Sequence, residues 1–150
     1  MKTSTDAGGY TLVELMVVTG IIAILASVTV PAYVNYKNRS IQTEGVEALL
    51  RAKMDQEAYW AEHNRYAGTI RMLASFGNTR ASNLYSTPNN YRIQIDQLYG
   101  NTSRFRVVGA RTIRNQANTL SLTVSDTMPD GKLNASDTGL SFSIFKWIFE

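Results

Sequence analysis

Cysteine is absent from this sequence of 150 residues, proline occurs three times and histidine once. Without cysteine there is no disulfide framework and no thiolate metal site, and thiol usage says nothing about redox compartment. The lone His63 leaves no Ser-His-Asp or Cys-His arrangement to assemble. No pair of carboxylates is spaced for general acid–base work and no phosphate loop occurs, so neither an enzyme activity nor a cofactor is expected. Positive charge is dilute as well. The net charge is +3 and charged residues make up 18% of the chain, well short of the dense basic patches that mark a nucleic-acid binder by charge alone.

One stretch lacks charge altogether. Leu15 to Val30 carries no Asp, Glu, Lys or Arg, and no Lys or Arg occurs between Glu14 and Lys37. From Tyr10 to Pro31, at about 1.5 Å per residue, a helix is roughly 33 Å long, which matches a bilayer core. A secretory signal peptide would place its small-residue cleavage site after the apolar run. Here the small pair Gly8-Gly9 stands before it, and the chain continues past Pro31 into a polar helical pattern. A plain membrane anchor accounts for the apolar run but not for Glu14, because an ionised carboxylate in hydrocarbon costs several kcal/mol. A partner for Glu14 is therefore expected from another chain or from a group made by processing. Cleavage after Gly9 supplies one, the free α-amino group of Tyr10, about a helical turn from Glu14.

Gly9, Tyr10, Thr11, Leu12 and Glu14, followed by the apolar run and Pro31, resemble the class III signal of type IV pilins and of the pseudopilins of type II secretion. The resemblance covers Gly8 to about Tyr36 closely, runs on more loosely to Gly68 and hardly touches the remainder. It implies a leader, residues 1–9, removed by a prepilin peptidase between Gly9 and Tyr10, and N-methylation of Tyr10, where the family more often has phenylalanine. It implies an assembly role for Thr11 and Glu14. A transmembrane and assembly helix is implied over 10–32, and a globular head over 33–150 that includes the back half of the helix. The partners implied are other pilin subunits, the prepilin peptidase and methylase, an inner-membrane assembly platform and membrane lipid. The location implied is the bacterial inner membrane, single-pass, before assembly and a surface filament after it. The type IVa pilins and minor pilins look nearest, so a pilus subunit is the first expectation and a type II secretion pseudopilin the second. A membrane-anchored binding protein that never polymerises, with DNA as one ligand, is an alternative of another class. Most pilins close their C-terminal region with a disulfide; without cysteine, packing and hydrogen bonds must hold that region here.

Beyond Pro31, which should kink the helix and not end it, Val46, Leu50, Met54, Ala58 and Ala61 recur at helical spacing and mark the stripe expected to face a sheet. The helix is expected from about Thr11 to about His63, roughly 80 Å if continuous. Asn64 and Gly68 are its stop signals, and Gly45 is a possible weak point within it. Alternation then takes over at Tyr91, Ile93 and Ile95, at Phe105 and Val107, and at Leu120, Leu122 and Val124, with a last short strand at Leu140, Phe142 and Ile144. Gly100-Asn101 and Pro129-Asp130-Gly131 read as turns. The fold class is α+β: a long N-terminal helix, transmembrane then amphipathic, packed against a small antiparallel sheet of three to four strands.

Two further clusters raise chemical possibilities. Arg104, Arg106, Arg111 and Arg114, with Tyr99 nearby, form either a DNA-binding face or else a solvated strand face or contacts between subunits. Asp126, Asp130, Asn134 and Asp137 are rich in oxygen but lack EF-hand spacing, which leaves a weak calcium candidate beside a plain solvated turn. The aromatic end, with Phe142, Phe145, Trp147 and Phe149, has more rings than one strand face can bury.

Overall fold

In the computed structural model, residues 9–77, 83–98, 103–113, 115–136, 138 and 140 are described. A single helix of 52 residues, α1 (Leu12–His63), begins in one compact unit and ends in a second, Asn35–Ser141, referred to below as the head.

In the first unit the helix leaves its apolar side chains exposed, Leu15, Ile21, Ile24 and Val28 among them. Its hydroxyls are satisfied by the helix's own carbonyls. Thr19 Oγ1 donates to Leu15 O at 2.9 Å, Ser27 Oγ to Ile24 O at 2.6 Å and Thr29 Oγ1 to Leu25 O at 2.8 Å. Thr19, Ser27 and Thr29 therefore need no partner in hydrocarbon, a condition that polar groups on a membrane-spanning helix must meet. Pro31 lies inside the helix, as expected, and the helix continues through it.

Among the described residues of the head, five antiparallel strands lie in the order β1 (Tyr85–Ser86), β2 (Arg92–Ile95), β3 (Phe105–Ile113), β4 (Gln116–Ser125) and β5 (Met128–Ala135). The alternating side chains Ile93, Ile95, Phe105, Val107, Leu120, Leu122 and Val124 are buried, with Tyr91 beside them. The three to four strands expected become five for two reasons. The two-residue β1 has no room for an alternating pattern. In β5 the Pro129-Asp130-Gly131 stretch is no turn: it sits inside the strand, at a register shift between Thr123↔Lys132 and Ser125↔Met128, with Gly131 at φ 83°. A bulge and a turn draw on the same residue types, and here the turn is made by Asp126 and Thr127. Leu140 is buried; Phe142, Ile144 and the other aromatic residues of the C-terminus lie outside the described residues, as does Gly100-Asn101.

The helix face against the sheet also differs from expectation. Gly45, Ala48, Leu49, Ala52 and Gln56 are buried. Of the expected stripe, Leu50 is 43% exposed and Met54 72%, Ala58 and Ala61 are exposed, and only Val46 packs partly against the core. The sheet supplies the bulk in Tyr91, Ile93, Phe105 and Leu120, so the helix must supply small residues to approach it. A Cβ placed on Gly45 would stand 2.7 Å from Leu120 Cδ1 and 3.0 Å from the Tyr91 ring. Gly45 is thus no weak point but the closest approach of helix to sheet. Gly109 on β3 makes the same allowance opposite, where a Cβ would meet Ile93 Cδ1 at 2.9 Å and Leu49 Cδ1 at 3.1 Å.

The helix ends as its sequence indicates. Asn64 adopts φ 52°, the left-handed stop, with its N–H bonded to Trp60 O at 2.8 Å. The chain then turns back beneath Gln56, which donates to Ala67 O at 2.9 Å and accepts from Ala67 N at 2.7 Å. Asp55 accepts the Ser75 amide at 2.8 Å. Glu44 accepts both the backbone and the side-chain N–H of Asn89 in the β1–β2 loop. Partial burial opposes ionisation of Glu44, but hydrogen bonds from Thr87 and Asn89, together with the Arg111 charge, hold its carboxyl below the usual glutamate range.

Candidate functional site

Gly9, Tyr10 and Thr11 precede the first helical turn and are exposed, Tyr10 by 90%. A Cβ on Gly9 would meet nothing within 4 Å. The Gly9–Tyr10 peptide bond is therefore non-helical and open, the state a peptidase needs. Thr11 and Glu14 then close on each other. Thr11 N and Thr11 Oγ1 both donate to Glu14 Oε2 at 2.8 Å, and Glu14 N donates to Thr11 Oγ1 at 3.2 Å. This is a capping box: the N-cap threonine and the glutamate three residues on satisfy each other's backbone N–H groups, which the helix itself cannot.

Glu14 thus has a partner in its own chain, contrary to the expectation that one must come from elsewhere. Thr-x-x-Glu was the signal in the sequence. The donors are neutral, however, so the carboxylate keeps its full charge. A cut after Gly9 leaves the Thr11 amide and hydroxyl in place and adds a cation, the Tyr10 ammonium, just before the helix. A positive group there opposes the helix dipole, and Glu14 in the first turn offsets it.

The arginines among the described residues are not brought to one surface. Arg104 is exposed just before β3. Arg106 pairs with Asp96 at 3.4 Å and donates to Thr123 Oγ1 at 3.2 Å. Arg111, five residues along β3, belongs to the opposite face, the one that buries Phe105, Val107 and Ile113. There its charge acts on Glu44, and its Nη1 is buried without a hydrogen-bond partner among the described residues. Arg114 lies outside the described residues. The acidic candidates do not converge either: Asp126 is in the β4–β5 turn, and Asn134, paired with Ser121, lies on the order of 13 Å along the strand from Asp130. Asp137 is outside the described residues. Among the described residues no group of three or more His, Asp or Glu side chains could hold a metal ion. His63 stacks on Tyr59 at 4.1 Å, with Nδ1 3.1 Å from Tyr59 O, in the last turn of the helix.

Comparison with known proteins draws attention to the same end of the chain. Residues 5–30 match the model of the prokaryotic N-terminal methylation motif. The type IV wide pilus major component PilA4 of Thermus thermophilus is 37% identical over 90 residues, 60% of this chain and 64% of that protein. The type IV major pilin PilA of Myxococcus xanthus is 37% identical over 59 residues, 39% of this chain and 27% of its own length. The type II secretion system core protein G of Aeromonas hydrophila is 34% identical over 70 residues, 47% of this chain and 49% of that protein. In each case the chain spans less than two thirds of the relative it matches. No solved structure matches.

Proposed function

We propose that this type IV pilin-like chain is a pilus subunit, inserted in the inner membrane by α1, cut between Gly9 and Tyr10 by a prepilin peptidase, methylated on Tyr10 and polymerised through its helix. The observation that carries this reading is the juxtaposition at the helix start. An open Gly9–Tyr10 bond stands four residues before a capped, charged Glu14, and an apolar helix follows whose side chains are exposed among the described residues. A bare anchor requires neither the glycine nor the glutamate. In a filament the apolar residues of several copies cover one another, and Leu50 and Met54, exposed on the head's part of the same helix, offer further apolar area to a neighbour. The role is structural, with the peptidase and methylase acting on the chain. Besides other subunits, the partners in this reading are the inner-membrane assembly platform and the surrounding lipid.

A pseudopilin of type II secretion is the second reading, favoured by the similarity to the Aeromonas protein. Shear fractionation tests the first. Filaments broken from intact cells should carry the chain, with a residual pool in the membrane. A chain held wholly in the membrane of a cell that makes pili would overturn the pilus-subunit reading and return the apolar helix to the role of an anchor.

A further inference from the structure

Three amide side chains hold the segment that leaves β5, and each grips it by the backbone. Asn118, fully buried on β4, donates from Nδ2 to Ser136 O at 2.7 Å and to Thr138 O at 3.0 Å. Gln42 Nε2 on α1 donates to the same Ser136 O at 2.7 Å. One helical turn earlier, Asn38 Nδ2 donates to Leu140 O at 3.2 Å. The orientation of the Asn118 amide is fixed by its other end, where Oδ1 accepts the buried Tyr91 hydroxyl at 2.6 Å. Carbonyls only accept and a protonated tyrosine can donate, so the Asn118 oxygen must face Tyr91 and its nitrogen the segment. Burial pushes the Tyr91 hydroxyl's pKa up, against the opposing Arg111 charge, which keeps it a donor.

We propose that Asn118, Gln42 and Asn38 form a backbone-reading latch that fastens the segment carrying Ser136, Thr138 and Leu140 to β4 and α1, whatever the side chains of that segment. The segment adds the Ser136 amide, which donates to Thr119 O on β4 at 2.9 Å, and a local arrangement, Ser136 Oγ to Thr138 Oγ1 at 2.7 Å with the Thr138 amide donating to Ser136 Oγ at 3.1 Å. The hydroxyl arrangement shapes the turn.

Hydrogen exchange measured by mass spectrometry on the full chain in detergent tests the latch. In Asn118→Ala, the peptide carrying Ser136, Thr138 and Leu140 should exchange roughly ten- to a hundredfold faster, the effect of losing two or three buried hydrogen bonds. Gln42→Met and Asn38→Leu, at half-buried helix positions that tolerate apolar residues, should each speed it by about three- to tenfold while the β3 peptides stay protected. Thr138→Ala should change it by less than about threefold, since the carbonyl grip remains. Wild-type exchange in Gln42→Met and Asn38→Leu would overturn the latch even if Asn118→Ala destabilised the whole sheet. A Thr138→Ala effect as large as that of Asn118→Ala would overturn its indifference to side chains.

Discussion

Glu14→Leu, as the sole copy, is expected to reach the membrane at the wild-type level, to be cleaved after Gly9, and to be missing from sheared filaments. Insertion gains from losing a charge in the apolar helix. Cleavage, in the proposed function, uses the open Gly9–Tyr10 bond, which the substitution leaves alone. Assembly carries the loss, and two effects contribute to it. The capping box disappears, at about 1 kcal/mol, because Thr11 N and Oγ1 lose their shared acceptor Glu14 Oε2. The larger effect is electrostatic. In the water-poor bundle of the proposed filament the Tyr10 ammonium of each copy would need a carboxylate, and a buried charge stripped of its partner is penalised by about 3–5 kcal/mol. The pairing would also set the axial register of helices whose remaining contacts are apolar and can slide.

Glu14→Gln separates the two effects, since glutamine at that position still completes a capping box but brings no charge. If charge governs assembly, Glu14→Gln fails as Glu14→Leu does. If the cap governs it, Glu14→Gln assembles normally. Normal filaments from Glu14→Leu alone would remove both explanations.

Gly45→Val is expected to lower the stability of the head by about 3 kcal/mol, the upper end of what overpacking a filled core costs. For a domain of this size that is on the order of 10 °C in melting temperature. The clash is specific: the new Cβ would sit 2.7 Å from Leu120 Cδ1 and 3.0 Å from the Tyr91 ring, and Tyr91 is fully buried with its hydroxyl tied to Asn118. Neither group can move without disturbing the latch or the β3–β4 packing. Intrinsic propensity points the other way. Replacing a mid-helix glycine with alanine is worth about 1 kcal/mol of added stability at an open site, so Gly45→Ala, which meets the same contacts, should fail to stabilise. Thermal unfolding of the full chain in detergent, followed by a sheet signal, measures both. A Gly45→Val melting temperature equal to wild type would mean that the helix does not seat on Tyr91 and Leu120 at this point.

The sequence discloses some of this design and hides the rest, for reasons that particular residues make plain. Glu14 is visible because a lone carboxylate before an apolar run is costly and needs an explanation. The helix end at Asn64 and the strands through Ile93, Val107 and Leu122 are visible because local periodicity and stop residues suffice to place them. The helix face is not. Counting large apolar residues selects Leu50 and Met54, whereas the sheet, already bulky with Tyr91 and Phe105, accepts Gly45, Ala48 and Ala52. That choice depends on volumes contributed from far along the chain. The same holds for Arg106 and Arg111, close in sequence but set on opposite faces by strand parity, and for Pro129-Asp130-Gly131, whose residue types suit a bulge as well as a turn. The latch joins Asn38 and Gln42 to Asn118 and Ser136 across most of the head, a pairing with no local signal. The Thr11–Glu14 box is legible in its spacing, but the glutamate's cost in the membrane points outward, to another chain or to a group made by processing.

In the proposed function, processing at the helix start is followed by entry into a filament. The direct measurement is the mass of the N-terminal peptide of the chain recovered from sheared filaments. The predicted result is a peptide that begins at Tyr10 and carries a methyl group on its amine. A chain that still begins at Met1 in those filaments, or one cut after Val30, would contradict it.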